Sequence, residues 1–368
     1  MDEYERPVFF YLMDYAAEAE GDVIDMVSGT PDFEPPDALR EGLKRYATGD
    51  GDSFQYPPSH GLSELREVIA ERRGVDVDHV VITNGAGEAN YLAMATALET
   101  FDGDEIVLAD PVYPYYHKRT EMLHGTPRFV AADADGTLDP DAVRKVASGD
   151  TAAIVVNSPN NPTGGVYGSA TKRELVEIAS AHDALLISDE VYDRFVYADG
   201  AFETALSFDS GNTVVTNSLS KSMAITGFRV GYGVFPPSLV DAVRTRHMLV
   251  NVTSSRPAQK AVLDALRETS EAYYERNRAM LEKRVRTFCA ALENAGAEYT
   301  RPQGGFYVMA RFDGYPGTLA NVERLIDETG VAGMPGDAFG ETRADWFRFA
   351  LLTPRVAEAA DRLTAYLG

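Results

Sequence analysis

The chain has 368 residues, 45% of them hydrophobic and 25% charged, with 57 acidic side chains against 34 Lys and Arg for a net charge of -23. That length exceeds one typical domain, and the composition is that of a folded globular protein rather than a disordered, collagenous or disulfide-stapled chain. The negative balance repels polyanions and anionic lipid, so neither nucleic acid nor a membrane is an expected partner.

The single cysteine, Cys289, rules out an intrachain disulfide or a multi-cysteine metal site and fits a reducing compartment. The opening MDEYERPVFF has neither the cationic segment nor the apolar stretch of a secretory signal, and no run reaches membrane-spanning length. Cytoplasm is therefore the expected location. The basic residues are nearly all arginine, the lysines being only Lys44, Lys118, Lys145, Lys172, Lys221, Lys260 and Lys283. An acidic, lysine-poor surface of this halophile-like kind suits a salt-loaded cytoplasm, where screening removes self-repulsion.

In chain order, the first forty residues fit no clear rhythm and are expected to pack against a second domain or a partner chain. Leu62, Leu65, Val68 and Ile69 mark an amphipathic helix, and HVVIT (79–83) reads as a buried strand. The apolar runs EIVLA (105–109), PRFVA (127–131), AAIVVN (152–157), ALLIS (184–188) and NTVVTNS (212–218) follow, separated by helical patterns such as 171–182. Strands without polar alternation need cover on both faces, which predicts an α/β fold with a mainly parallel sheet between helices. After Phe235-Pro236-Pro237 the pattern turns to long helices, roughly 238–250 and 257–294. Candidate strands at 304–312 and 345–352, with helices near 318–329 and 354–367, then predict a smaller α+β domain. The expected division is a large domain over 40–250 and a small one formed by 1–39 and 251–368.

Ligands of open parallel sheets bind beyond the carboxyl ends of the strands, and those ends are chemically unusual here. They carry Asn84-Gly85-Ala86-Gly87, Ser158-Pro159-Asn160-Asn161-Pro162, Asp189-Glu190-Val191-Tyr192 and Ser218-Leu219-Ser220-Lys221, with Thr226-Gly227-Phe228-Arg229 close behind. A Gly-rich turn entering a helix offers backbone N–H groups to a phosphate, and Ser218, Ser220 and Arg229 add donors. Asp189 calls for a cationic group on the same ligand, and Lys221 is placed to form an imine with a carbonyl. An aldehyde, a phosphate and a protonatable ring nitrogen on one molecule describe pyridoxal 5'-phosphate. The Gly85-Ala86-Gly87 turn partly mimics a dinucleotide site, but Asn90 stands where a third glycine is needed. The six histidines and Glu190 read as structural, without metal-ligand spacing.

On SLSKSMAITGFRVGY (218–232), SPNNPTGGVY (158–167) and SDEVY (188–192), the chain resembles the class I/II aminotransferases of pyridoxal-phosphate fold type I. The likeness runs from Ser28-Gly29-Thr30-Pro31 to Arg348-Phe349-Ala350, and implies a seven-stranded type of sheet. It implies that Lys221 is the Schiff-base lysine and proton carrier, Asp189 the partner of the ring nitrogen, and Asn161 and Tyr192 the donors to the phenolic oxygen. Tyr113 would stack on the ring. Ala86 and Gly87 backbone, Ser218, Ser220 and Arg229 would hold the phosphate, and Tyr56 would reach the phosphate of a neighbouring subunit in a homodimer with shared active sites. Arg348 and Gly29 would bind the substrate α-carboxylate, and Asn161 would border the substrate as well as the cofactor.

The implied activity moves an amino group between an L-amino acid and a 2-oxo acid by a ping-pong route. A carbon-sulfur β-lyase, a histidinol-phosphate aminotransferase and a non-catalytic cofactor-binding regulator remain as alternatives, since fold and cofactor do not fix which bond breaks. One aspartate-using branch carries a lysine where this chain has Gly87, so a distal carboxylate would need another cation, which the sequence does not identify.

Overall fold

The computed structural model describes residues 8–198, 200–208 and 211–367; the first seven residues of the expected N-terminal segment lie outside the described residues. Seven strands form the larger sheet, in the spatial order Val80–Thr83, Gly231–Val234, Thr213–Ser218, Leu185–Asp189, Thr151–Asn157, Glu105–Asp110 and Thr126–Ala131. The five strands from Thr213–Ser218 to the Thr126–Ala131 edge pair in parallel. Their inner members are mainly apolar and buried over nearly all their length because helices cover both faces. Thr126–Ala131 is the outer edge, where Pro127 is tolerated and Phe129 is 45% exposed.

Gly231–Val234 was not anticipated as a strand, and it runs antiparallel to both neighbours. Its two glycines mask the β pattern, and each has a reason in the fold. A Cβ on Gly231 would collide with the backbone of Gly85 and Ala86, and one on Gly233 would strike the ring of Phe235. Glycine at 231 thus lets the Gly85-Ala86 turn lie directly against this strand.

A second sheet of four antiparallel strands has the order Met334–Pro335, Phe347–Ala350, Tyr307–Arg311, Glu298–Tyr299. Its core gathers Phe288, Val308, Phe347, Phe349 and Leu363, and also Leu12, Ile24, Met26 and Val27 from the N-terminal segment. Ile24–Asp25 pairs in parallel with Val331–Ala332, so the chain start is built into this unit. The expected helical run 257–294 is two helices, Arg256–Glu268 and Glu271–Asn294, parted by extended backbone at Thr269 and Ser270. Short polar side chains of this kind compete for backbone hydrogen bonds and favour such breaks. The helix Arg256–Glu268 packs on Asp37–Ala47 and Ser63–Arg73, where Leu39, Leu65, Ile69, Val262 and Leu266 share one core.

Candidate active site

The carboxyl ends of the parallel strands open into a cleft of about 1260 Å³ that is closed on its other side by Gly29, Tyr307, Phe339 and Arg348. Every residue given a cofactor or substrate role by the resemblance lines this cleft except Tyr56, which is 81% exposed and lies outside it. Strand register explains the convergence. Asn157 pairs with Asp189, and Asp189 with Thr216, so two adjacent strands stop at one level and the next runs on two residues to Ser218.

Lys221 sits in the single helical turn Leu219–Ser222, immediately after a strand end, and its Nζ donates to the Gly29 carbonyl at 2.6 Å. Burial, helped by the nearby cations Arg229 and Arg348, pushes the amine down to about 8, while Asp189 opposes the shift. A lysine so adjusted is part neutral near neutral pH, which a nucleophile or proton carrier requires.

Asp189 is 4% exposed and its Oδ2 accepts from Asn90 Nδ2 and from the Tyr116 hydroxyl, both at 2.7 Å, while Oδ1 accepts from Val191 N at 3.1 Å. Asn90 is itself fixed by the Thr216 hydroxyl, which donates to its Oδ1 at 2.7 Å. Burial raises the Asp189 carboxyl above its ordinary range, and the hydrogen bonds from Tyr116 and Asn90 work against that rise. Neither donor was marked in the sequence. Asn90 looked like a failed glycine, and Tyr116 was one more aromatic in a tyrosine-rich stretch. Glu190 turns the other way, into a buried cluster with Lys172 at 3.8 Å and Arg73 at 3.4 Å, as expected of a structural acid.

Asn157 ties the next piece in place, donating to the Asp189 carbonyl at 3.0 Å and accepting from Asn161 N at 2.8 Å. The Tyr192 hydroxyl lies 3.4 Å from that of Tyr307, and burial holds both phenols above their ordinary range. Tyr113 borders the cleft in ring contact with Tyr115 and Tyr116.

The helix Ala86–Thr100 begins at the cleft, and Gly85 before it has φ 82°, a conformation that favours glycine. A side chain there would also collide with the Arg229 guanidinium, which donates to Asn84 O and Thr226 O at 3.0 Å each. Arg348 is 3% exposed; its Nη2 donates to Val27 O, and its guanidinium lies 4.7 Å over the Tyr307 ring. Burial lowers its pKa from the ordinary value.

The family model for aminotransferase class I and II matches residues 21–363. The chain belongs to that family. It is 32% identical over 368 residues to the aspartate aminotransferase of Pyrococcus horikoshii, spanning 96% of this chain and 92% of the relative. It is 33% identical to a probable aspartate/prephenate aminotransferase of Thermus aquaticus, over 88% of this chain and 87% of that one. Among solved structures, Thermus thermophilus aspartate aminotransferase with maleate superposes with a TM-score of 0.92 at 28% identity, over 100% of this chain and 98% of the other. The aminotransferase therefore has the fold-type I architecture, an α/β fold whose central sheet is mostly parallel and flanked by helices. Among its described residues no helix is long and apolar enough to cross a membrane, and no cluster of His, Cys, Asp or Glu could hold a metal ion.

Proposed function

We propose that this aminotransferase uses pyridoxal 5'-phosphate held by Lys221 and Asp189, with a dicarboxylic amino acid such as aspartate as donor and a 2-oxo acid as acceptor. The single observation behind this reading is that the depressed amine of Lys221 and the buried carboxylate of Asp189 open onto the same cleft. Three buried polar atoms of cleft residues find no partner within the protein, namely Ser220 Oγ, Asn161 Oδ1 and Arg348 Nε. Buried polar groups left this way are costly, and the cofactor phosphate, its ring substituents and a substrate carboxylate are the right acceptors and donors for them. The residues fit the group.

Bound here, pyridoxal phosphate supplies an aldehyde carbon that takes up amines and a ring that draws electrons away from the substrate Cα. Lys221 Nζ holds the cofactor and moves the proton at the substrate Cα. Asp189 accepts the ring N–H, with Asn90 and Tyr116 fixing its carboxylate. The Tyr192 hydroxyl and Asn161 donate to the phenolic oxygen, and Tyr113 covers the ring face. Backbone N–H groups of Ala86 and Gly87, the Ser218 and Ser220 hydroxyls and Arg229 bind the phosphate. Arg348 pairs two N–H donors with the α-carboxylate beside Gly29, which fixes the Cα–H direction relative to the ring.

The protein acts as a cytoplasmic homodimer in this reading. Phe54, Tyr56, Leu249, Val250 and Val252 are all at least 54% exposed, and Arg256 Nη1 donates to Gln55 O at 2.9 Å, so the two apolar segments adjoin. A partner's Tyr56 would complete each phosphate site. We draw the domain boundary after the helix Arg256–Glu268, because that helix packs with Asp37–Ala47 and Ser63–Arg73.

The test is a half-reaction. Purified protein loaded with pyridoxal phosphate should release a 2-oxo acid from aspartate and return to its starting spectrum with 2-oxoglutarate. Borohydride should fix the cofactor on Lys221 alone. Labelling at another lysine, or pyruvate and ammonia released from a thioether amino acid without any acceptor, would overturn the reading.

A further inference from the structure

The cleft holds more positive charge than the cofactor and an α-carboxylate consume. Five Lys and Arg side chains border it: Lys118, Arg119, Lys221, Arg229 and Arg348. Four are engaged. Lys221 donates to Gly29 O, Arg229 to Asn84 O and Thr226 O, and Arg348 to Val27 O, while Lys118 is an exposed partner of Glu121 at 3.3 Å.

Arg119 is different. Its guanidinium has no hydrogen-bond acceptor and no acidic side chain within ion-pairing distance among the described residues. Its titratable surroundings are the neutral Tyr113, Tyr115 and Tyr116 phenols and Asp189, whose Oδ2 already serves Asn90 and Tyr116. Burial lowers its pKa from the ordinary value, but an arginine stays charged, so a largely enclosed cation faces the cleft with no direct ion pair, Asp189 acting on it only at longer range.

The space in front of it is set by Gly87. A Cβ built on Gly87 would meet nothing within 4 Å except Arg119 Nη2, at 3.9 Å. The absent side chain therefore leaves a void at the first turn of the helix Ala86–Thr100, bordered by the guanidinium. The acid next in sequence does not fill it, because Glu88 accepts from Asn84 N at 2.6 Å and pairs with His247 at 2.8 Å.

We propose that Arg119 determines substrate specificity by binding the side-chain carboxylate of a dicarboxylic amino acid or 2-oxo acid in the space left by Gly87. The proposal rests on the aminotransferase reading of the cleft and deepens it. A planar guanidinium meets a carboxylate with two parallel N–H donors, whereas a neutral side chain in the same place would leave the cation unpaired.

The test compares Arg119→Leu and Arg119→Lys with the parent, all loaded with pyridoxal phosphate. Stopped-flow half-reactions use aspartate and alanine, calorimetry measures succinate binding, and fluorescence titration measures cofactor affinity. In the Leu variant, kcat/KM for aspartate and the affinity for succinate should fall on the order of 10- to 100-fold, mostly through KM. Alanine turnover and cofactor affinity should stay within about threefold, and the Lys variant should recover part of the loss. Equal losses for both donors, or weakened cofactor binding, would mean that Arg119 serves the cofactor, and either result overturns the proposal. A parent enzyme that turns over alanine as well as aspartate overturns it while leaving the aminotransferase reading intact. Absence of any half-reaction with either donor removes both.

Discussion

The Lys221 amine donates at 2.6 Å to the carbonyl of Gly29, a residue 192 positions earlier in the chain, so the reactive nitrogen is aimed by the N-terminal segment and not by its own turn. Because burial brings this amine to about 8, roughly one molecule in ten carries it neutral at pH 7, against about one in 2,500 for an ordinary lysine. The neutral form is the nucleophile, so cofactor attachment, trapped by borohydride, should speed up with pH and level off above about 8. A midpoint near 10 would show that the pocket does not depress the amine.

The same contact makes Gly29 a sensitive position. A Cβ there would overlap the Tyr307 hydroxyl and lie 3.6 Å from Lys221 Nζ. Tyr307 is 2% exposed and packed against Tyr192 and Phe306, so it has little freedom to retreat. Gly29→Ala should therefore lower kcat on the order of 10- to 100-fold through misplacement of Lys221, with the thermal midpoint within a few degrees of the parent. A variant with unchanged kcat would separate Gly29 from the positioning of the amine.

The buried chain Thr216–Asn90–Asp189–Tyr116 ranks three substitutions. In Asp189→Asn an amide nitrogen must face a donor at either oxygen position, since Asn90, Tyr116 and Val191 all donate to this carboxylate. That variant also removes the charge opposite the ring nitrogen, and should lose at least about 100-fold in kcat. Asn90→Ala removes one donor and strands the Thr216 hydroxyl, which is fully buried, so it should cost activity and stability together. Tyr116→Phe removes one donor and strands nothing, so it should be the mildest. Half-reaction rates with paired melting curves check the order, and a Phe variant as damaged as the Asn90 variant would contradict it.

The sequence was most legible where backbone chemistry is local. The strand ends at Asn157, Asp189 and Ser218 and the glycine-rich turn before Ala86 each carry residues that a buried sheet rarely shows, so the cleft could be located from them. Gly231–Val234 was missed because its glycines answer to close contacts, Gly231 with the distant Gly85 and Gly233 with the Phe235 ring, and not to β propensity. Asn90, Tyr116 and Arg119 were missed for a related reason. They lie on helix faces, and nothing in helical spacing tells a cleft-facing polar residue from a solvated one. Their roles depend on where Ala86–Thr100 and Tyr115–Met122 dock against the sheet.

The surface charge makes a prediction about salt, and two opposing effects decide its sign. Exposed pairs such as Arg355 with Asp22 and Glu358, or Arg45 with Asp264 and Glu268, weaken as salt rises, but solvent-screened pairs of this kind contribute little to stability. A net charge of -23 spread over a globule of this size stores tens of kcal/mol of self-repulsion before screening, of which unfolding relieves a fraction. The Debye length falls from about 10 Å at 0.1 M to about 3 Å at 1 M salt, so the self-repulsion shrinks by more than the ion pairs lose. The thermal midpoint should therefore rise by at least about 5 °C between 0.1 M and 2 M potassium chloride, with most of the gain below 1 M. A flat or falling midpoint across that range would mean that the acidic surface is not an adaptation to salt and that the arginine pairs dominate.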